Sequence, residues 1–183
     1  MMSLPLALFA LMIAFVLVAL VALFWYCKTA YFDLQPEVDR LLKRLNPSEL
    51  EPPAALVKLV LRLQEDAFTH IVCRKVIVHL EGDDADAQVM QARVLLWRYL
   101  LPKRLGRKLM LALYMHFLPF EGGRGLIHGS KHYFNKTPED LSEEECLALY
   151  VTSLAPGRCS PTRNPEELDA QCRRYAWVLR DAR

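Results

Sequence analysis

The sequence predicts a mainly α-helical protein in which a single N-terminal transmembrane helix precedes one helical body. Three observations carry that expectation. The run 4–26, LPLALFALMIAFVLVALVALFWY, holds no charged side chain, and a helix of that length covers about 30 Å of hydrocarbon. Apolar residues recur at three- and four-residue spacing in stretches such as AALVKLVLRLQEDAFTH and LSEEECLALYVTSLAP, the pattern of helices with a buried face. Helix-start signals stand where such stretches begin, at Thr137 or Ser142 ahead of a cluster of acids and at Asn164-Pro165. The 183 residues suffice for one modest domain with its own core.

Residues 4–26 read as the membrane anchor. A signal peptide is the weaker reading, because the apolar run exceeds a usual signal core, no basic stretch precedes it and no small-residue cleavage site follows. Trp25 and Tyr26 suit the membrane interface and Lys28 marks the water side. Lys28, Arg40, Lys43 and Arg44 follow the anchor, a bias that on charge alone places the body in the cytoplasm. Residues 27–53 form a juxtamembrane linker with an amphipathic helix expected from Pro36 to Leu45, interrupted beyond it by Pro47, Pro52 and Pro53.

The body, 54–183, opens with a helix whose continuation towards Val78 is ambiguous between helix and strand. Asp83, Asp84 and Asp86 mark a turn feeding a helix; the oxygen-ligand series of a calcium loop is absent, and acids favour a helix start. From Ala87 to Phe120 there are six basic residues and no acid, with helices expected on either side of Pro102. A glycine-rich loop, EGGRG, leads into a short helix, and lacks the lysine and hydroxyl of a phosphate-binding loop. A helix after Thr137 or Ser142 and a final one entered at Asn164 or Pro165 complete the chain.

The net charge of +2 excludes little by itself; its distribution says more. The acid-free basic strip beside an anchor suits anionic headgroups or a pyrophosphate-bearing lipid. It lacks a base-reading module, so nucleic acid is not an expected partner. The five cysteines have neither metal spacing nor a disulfide framework, leaving Cys159 and Cys172 either bridged or as small buried side chains. His116, His128 and His132 lack accompanying ligands, and no metal site is read.

The chemistry-bearing stretch is QEDAFTH, 64–70. On a helix, Glu65 and Phe68 share one face and Asp66 and His70 a neighbouring one. A carboxylate lowered into a partly apolar cleft, with a ring packed behind it, has the proton affinity of a general base. The plain reading of the same spacing is an Asp66–His70 pair beside a solvated Glu65.

Read in order, ALVKLVLRLQEDAFTH, LMLALYMHFLPF, HYFNKTPEDLSEEECLALYVTSLAPGRCSPTRNPEE and RRYAWVL resemble the lysozyme-like glycosyltransferase (transglycosylase) domain of bifunctional penicillin-binding proteins and monofunctional transglycosylases. Glu65, Asp66, Phe68 and His70 match the first motif, Tyr133, Phe134 and Lys136 a later one, and Asn164, Pro165, Arg173, Arg174, Val178 and Leu179 complete the run. The resemblance covers about two thirds of the chain. It implies a lysozyme-like body outside the cytoplasmic membrane of a bacterium, against the charge bias, and the resemblance is followed.

It also implies that Glu65 is the general base that takes a proton from the acceptor sugar's 4-hydroxyl as it attacks the anomeric carbon of the growing chain. Asp66, Phe68 and His70 would support it. Lys103, Arg104, Arg107 and Lys108 would meet the charge on the departing polyprenyl pyrophosphate or a lipid headgroup. Partners are then a lipid-linked peptidoglycan precursor or glycan chain, membrane lipids and other cell-wall synthesis proteins. No cofactor is expected, a divalent cation being the one addition left open for an active enzyme.

The chain departs from the family pattern where it matters. No glycine-, serine- and glutamine-rich segment follows the first motif, and Arg93 stands where a second glutamate is expected; Glu81 and Glu121 lack the right neighbours. The readings are therefore a compact glycosyltransferase, polymerising lipid-linked disaccharides through Glu65, a catalytically inactive accessory relative, or an unrelated anchored helical protein. Hydrolysis is the poorer enzymatic reading, because Asp66 is adjacent to Glu65 and cannot lie across a sugar from it.

Overall fold

The computed structural model describes residues 4–82 and 86–180; Asp83 and Asp84 of the expected acidic turn lie outside them. The described chain is almost entirely helical, with one short β-hairpin. Helix α1, Leu4–Ala30, has its described apolar side chains from Leu8 to Trp25 exposed, and it is long and apolar enough to cross a membrane.

Helix α2, Gln35–Lys43, buries Val38 and Leu41, three residues apart on one face. Helix α3, Pro47–Leu50, begins at a proline where an interruption was expected. Proline fits the first helical position because it lacks only an N–H that would be unpaired there, and Asn46 and Glu49 close a reciprocal cap around it. Tyr31, Val38, Leu41 and Leu45 join the same hydrophobic core as the body, so segment 27–53 lies against that body.

Helices α4, Ala54–Leu63, and α5, Phe68–Glu81, resolve the ambiguous stretch as helix in both parts, with a turn between them. Helix α6, Ala87–His116, is capped by Asp86, whose carboxylate accepts the Gln88 N–H at 2.8 Å. Pro102 sits inside it, and the helical path breaks at Gly106 instead. Gly106 has φ 70° and ψ 174°, a region nearly restricted to glycine. The proline costs one backbone hydrogen bond but keeps a helical φ, so the glycine four residues on takes the bend.

The EGGRG loop is a hairpin rather than a plain loop. Strands β1, Pro119–Phe120, and β2, Gly123–Arg124, pair antiparallel, and Gly122 turns the chain at φ 74°. Helix α7, Leu126–Phe134, packs on it so closely that a Cβ at Gly129 would overlap the Phe120 ring. Ser142 caps α8, Glu143–Leu154, in a full capping box with Glu145. Helices α9, Pro165–Tyr175, and α10, Trp177–Arg180, end the described chain. Trp97, Leu101, Met110, Leu113, Met115, Tyr150, Leu56 and Leu59 form the centre of the core.

Candidate functional site

Glu65 and Asp66 lie in the turn between α4 and α5, not on a helix. The turn is held from both ends by Tyr114. Its hydroxyl donates to Gln64 Oε1 at 3.0 Å, and its ring lies 5.7 Å from that of buried Phe68. The Phe68 N–H closes the turn on Gln64 O at 2.6 Å. With Gln64 and Phe68 drawn inward, the residues between them face water: Glu65, Asp66 and Ala67 are all exposed. Asp66 precedes α5, so the shared helical face expected for Asp66 and His70 does not form, and no ion pair joins them among the described residues.

Glu65 lines a small groove of about 300 Å³. Leu61, Phe68 and Thr69 form one wall, and Pro102, Gly106, Arg107 and Met110 the other. The bend at Gly106 puts Arg107 on that wall. The other three basic candidates are engaged elsewhere. Lys103 sits 3.5 Å from the centre of the Tyr99 ring, Arg104 binds Asp39 at 2.6 Å and Gln35, and Lys108 binds Glu51 at 2.9 Å. Among the described residues no second carboxylate lines the groove. Arg93, Glu81 and Glu121 are all committed to ion pairs, Arg93 with Glu81 and Glu121 with Arg163.

His70 faces a different and larger groove, about 680 Å³, between α5 and the hairpin. Arg74, Lys75, His79 and Arg124 line it with His70, against apolar Ile71, Val78, Phe117 and Pro119, and among the described residues no carboxylate is on its wall. Lys75 Nζ donates to Phe117 O at 2.7 Å, and burial holds its pKa below the usual lysine range. Burial, then the neighbouring Arg124 charge, holds the His79 pKa below that of a free imidazole. Sequence reasoning missed this cluster. The signal was present in the spacing of His70, Arg74 and Val78 beside Ile71, Lys75 and His79, two adjacent rows on one helical face. A third cleft, at the start of α9, has its arginines spent on Glu167 and Glu121.

His116 Nδ1 lies 3.1 Å from Oε1 of Glu49, which is 2 % exposed, so this histidine ties α3 to the end of α6. His128 and His132 stack at 5.5 Å. The described residues hold no group of three ligands suited to a metal ion. The described cysteines, Cys159 and Cys172 among them, are free thiols. Burial pushes Cys73 up to about 12 and Cys146 and Cys172 to about 11, so these three stay protonated and unreactive near neutral pH.

The transglycosylase family model matches residues 79–183. Its matched stretch begins downstream of Glu65, Asp66, Phe68 and His70, and includes the basic strip, the hairpin and α7 to α10. Among curated proteins, Penicillin-binding protein 1C of Escherichia coli (strain K12) is 39 % identical over 77 residues, 41 % of this chain. That similarity covers 10 % of the length of Penicillin-binding protein 1C.

Proposed function

This chain belongs to the transglycosylase family, its matched residues making up more than half of its length, and from that membership we propose that it is a membrane-anchored, peptidoglycan glycosyltransferase-like protein that binds a lipid-linked glycan precursor in an accessory role. Residues 4–26 anchor it, 27–53 lead to the body and 54–183 form the transglycosylase-like domain, which stands outside the inner membrane. The observation that carries the accessory reading is the exposure of Glu65 on an open turn. A general base for sugar transfer must meet the acceptor hydroxyl in a site that excludes water, because solvent otherwise competes for the same anomeric carbon. A groove of about 300 Å³ is at the small end for enclosing even one drug-sized ligand.

Within that groove Arg107 is the cation best placed to meet a pyrophosphate, by charge-assisted hydrogen bonds to its oxygens. Phe68 and Met110 supply apolar wall for a sugar face or the first isoprene unit. Glu65 then orients the acceptor hydroxyl as a hydrogen-bond acceptor. Asp66 and His70 stand apart from it and take no part.

A second reading, a slow but working polymerase, draws on the presence of Glu65 and Arg107 in one groove. In it Glu65 removes the 4-hydroxyl proton, the oxygen bonds to the anomeric carbon, and the polyprenyl pyrophosphate leaves with its bond pair, its charge met by Arg107. Incubating the full-length protein in detergent with purified lipid-linked disaccharide, with Glu65→Gln beside it, separates the two. The accessory role predicts bound precursor and no glycan chain from either protein; chains formed by the wild type and lost in the variant establish the polymerase.

A further inference from the structure

Contacts between the anchor and the body set the height of each part of the body relative to the lipid. Trp97 Nε1 donates to Ala30 O at 2.6 Å. Arg104 holds Gln35 and, at 2.6 Å, Asp39. The two contacts run in the same order along both segments, so α6 rises beside the chain from Ala30 to Asp39, and Arg93, one turn before Trp97, stands level with Tyr26, one turn before Ala30. Tyr26 closes the apolar run and, like Trp25, is a residue type that settles at the membrane interface. Glu81, the last residue of α5, is paired with Arg93, which brings that end of α5 to the same height. His79 is two residues earlier, about 3 Å along the axis, and Arg124 Nη2 lies 3.3 Å from its Nδ1. The groove between α5 and the hairpin therefore starts at headgroup height.

Its chemistry fits what is found at that height. Arg74 and Arg124 are exposed on its wall, and neither forms an ion pair among the described residues. Lys75 adds a third cation at the floor, fixed there by Phe117 O. The lowered pKa values of Lys75 and His79 accompany burial, and for His79 a positive neighbour, without a compensating carboxylate. Guanidinium groups match phosphate oxygens bidentately and remain charged at every relevant pH. Val78, Phe117 and Pro119 give the same groove an apolar side.

We propose that this groove binds the phosphate of an anionic bilayer lipid, with the headgroup between Arg74 and Arg124 and the glycerol end of the chains along Val78, Phe117 and Pro119. The site is distinct from the Glu65 groove, since Thr69 faces one and His70 the other at the first turn of α5. An occupied site gives the body a second attachment to the bilayer beside α1, and so sets its tilt over the surface.

The full-length protein in neutral dodecyl maltoside micelles, titrated with phosphatidylglycerol, tests this directly. The wild type is expected to bind saturably, and the doubly substituted Arg74→Gln/Arg124→Gln protein roughly 30-fold more weakly, at about 1 kcal/mol for each arginine. Both positions are exposed, and an unchanged circular-dichroism melt shows that the variant is folded. Arg62→Gln, outside the groove, should bind as the wild type does. The His79 ring should titrate at higher pH once lipid is bound, a change that a merely structural arginine pair would not produce. Equal affinity in the wild type and the double variant overturns the site. Inorganic phosphate binding as tightly as the lipid overturns the lipid assignment in favour of a soluble phosphate compound.

Discussion

Arg107 is the basic residue of its strip that shares a groove with Glu65, and the two make opposite predictions. Arg107→Gln should weaken binding of lipid-linked precursor by roughly tenfold, the worth of one charge-assisted contact, whereas Glu65→Gln should leave binding within about twofold. Microscale thermophoresis in micelles checks both. His79 carries the clearest pH signature. Its folded-state pKa is lowered from 6.5, so the folded protein resists protonation there. Its contribution is fully present above pH 6.5 and is lost as pH falls through the lowered pKa. His79→Asn should therefore flatten the stability loss between neutral pH and about pH 5, read from melting temperature against pH. Residue types were legible in the sequence while their directions were not. QEDAFTH named Glu65 and Phe68, but Tyr114, fifty positions away, draws Gln64 and Phe68 inward and so turns Glu65 to water.

At the scale of elements, the breaks were harder to read than the helices. The α4–α5 turn contains neither proline nor glycine and is set by contacts with Tyr114, so periodicity alone could not show it. In α6 the proline drew the expected break to Pro102, and the glycine four residues later holds it. Gly106→Ala should cost about 1–3 kcal/mol although nothing lies within 4 Å of the added Cβ, because the penalty is in the backbone. It should also displace Arg107 and weaken precursor binding. Denaturant unfolding of this variant, beside Pro102→Ala, tests which residue carries the break; a neutral Gly106→Ala contradicts the assignment. The α8 capping box, by contrast, is local: Ser142 and Glu145 lie three residues apart, and of the two starts the sequence offered, Thr137 and Ser142, the structure takes the second.

For the whole molecule, the long apolar N-terminal helix and the helical body were legible from apolar length and periodicity, but the close packing of the segment that joins them was not. The juxtamembrane segment reads as a linker, yet Tyr31 lies with its ring centre 5.3 Å from that of Trp97, and Val38 and Leu41 are buried in the body's core. Leu41→Ala should thus cost about 2–5 kcal/mol, as a core position does, and as much as Leu59→Ala; a loss under about 0.5 kcal/mol, the usual surface value, would mean that the segment is a free tether. Helix α6 thus carries both the contact of Arg104 with Asp39 and, two and three residues on, Gly106 and Arg107 of the Glu65 groove. The central claim is that this groove holds a lipid-linked glycan without polymerising it. The most direct test gives purified lipid-linked disaccharide to the full-length protein and to Glu65→Gln in detergent, scoring bound precursor and glycan chains together. Saturable binding by both proteins with no chains from either is the predicted result, and chains that depend on Glu65 would contradict it.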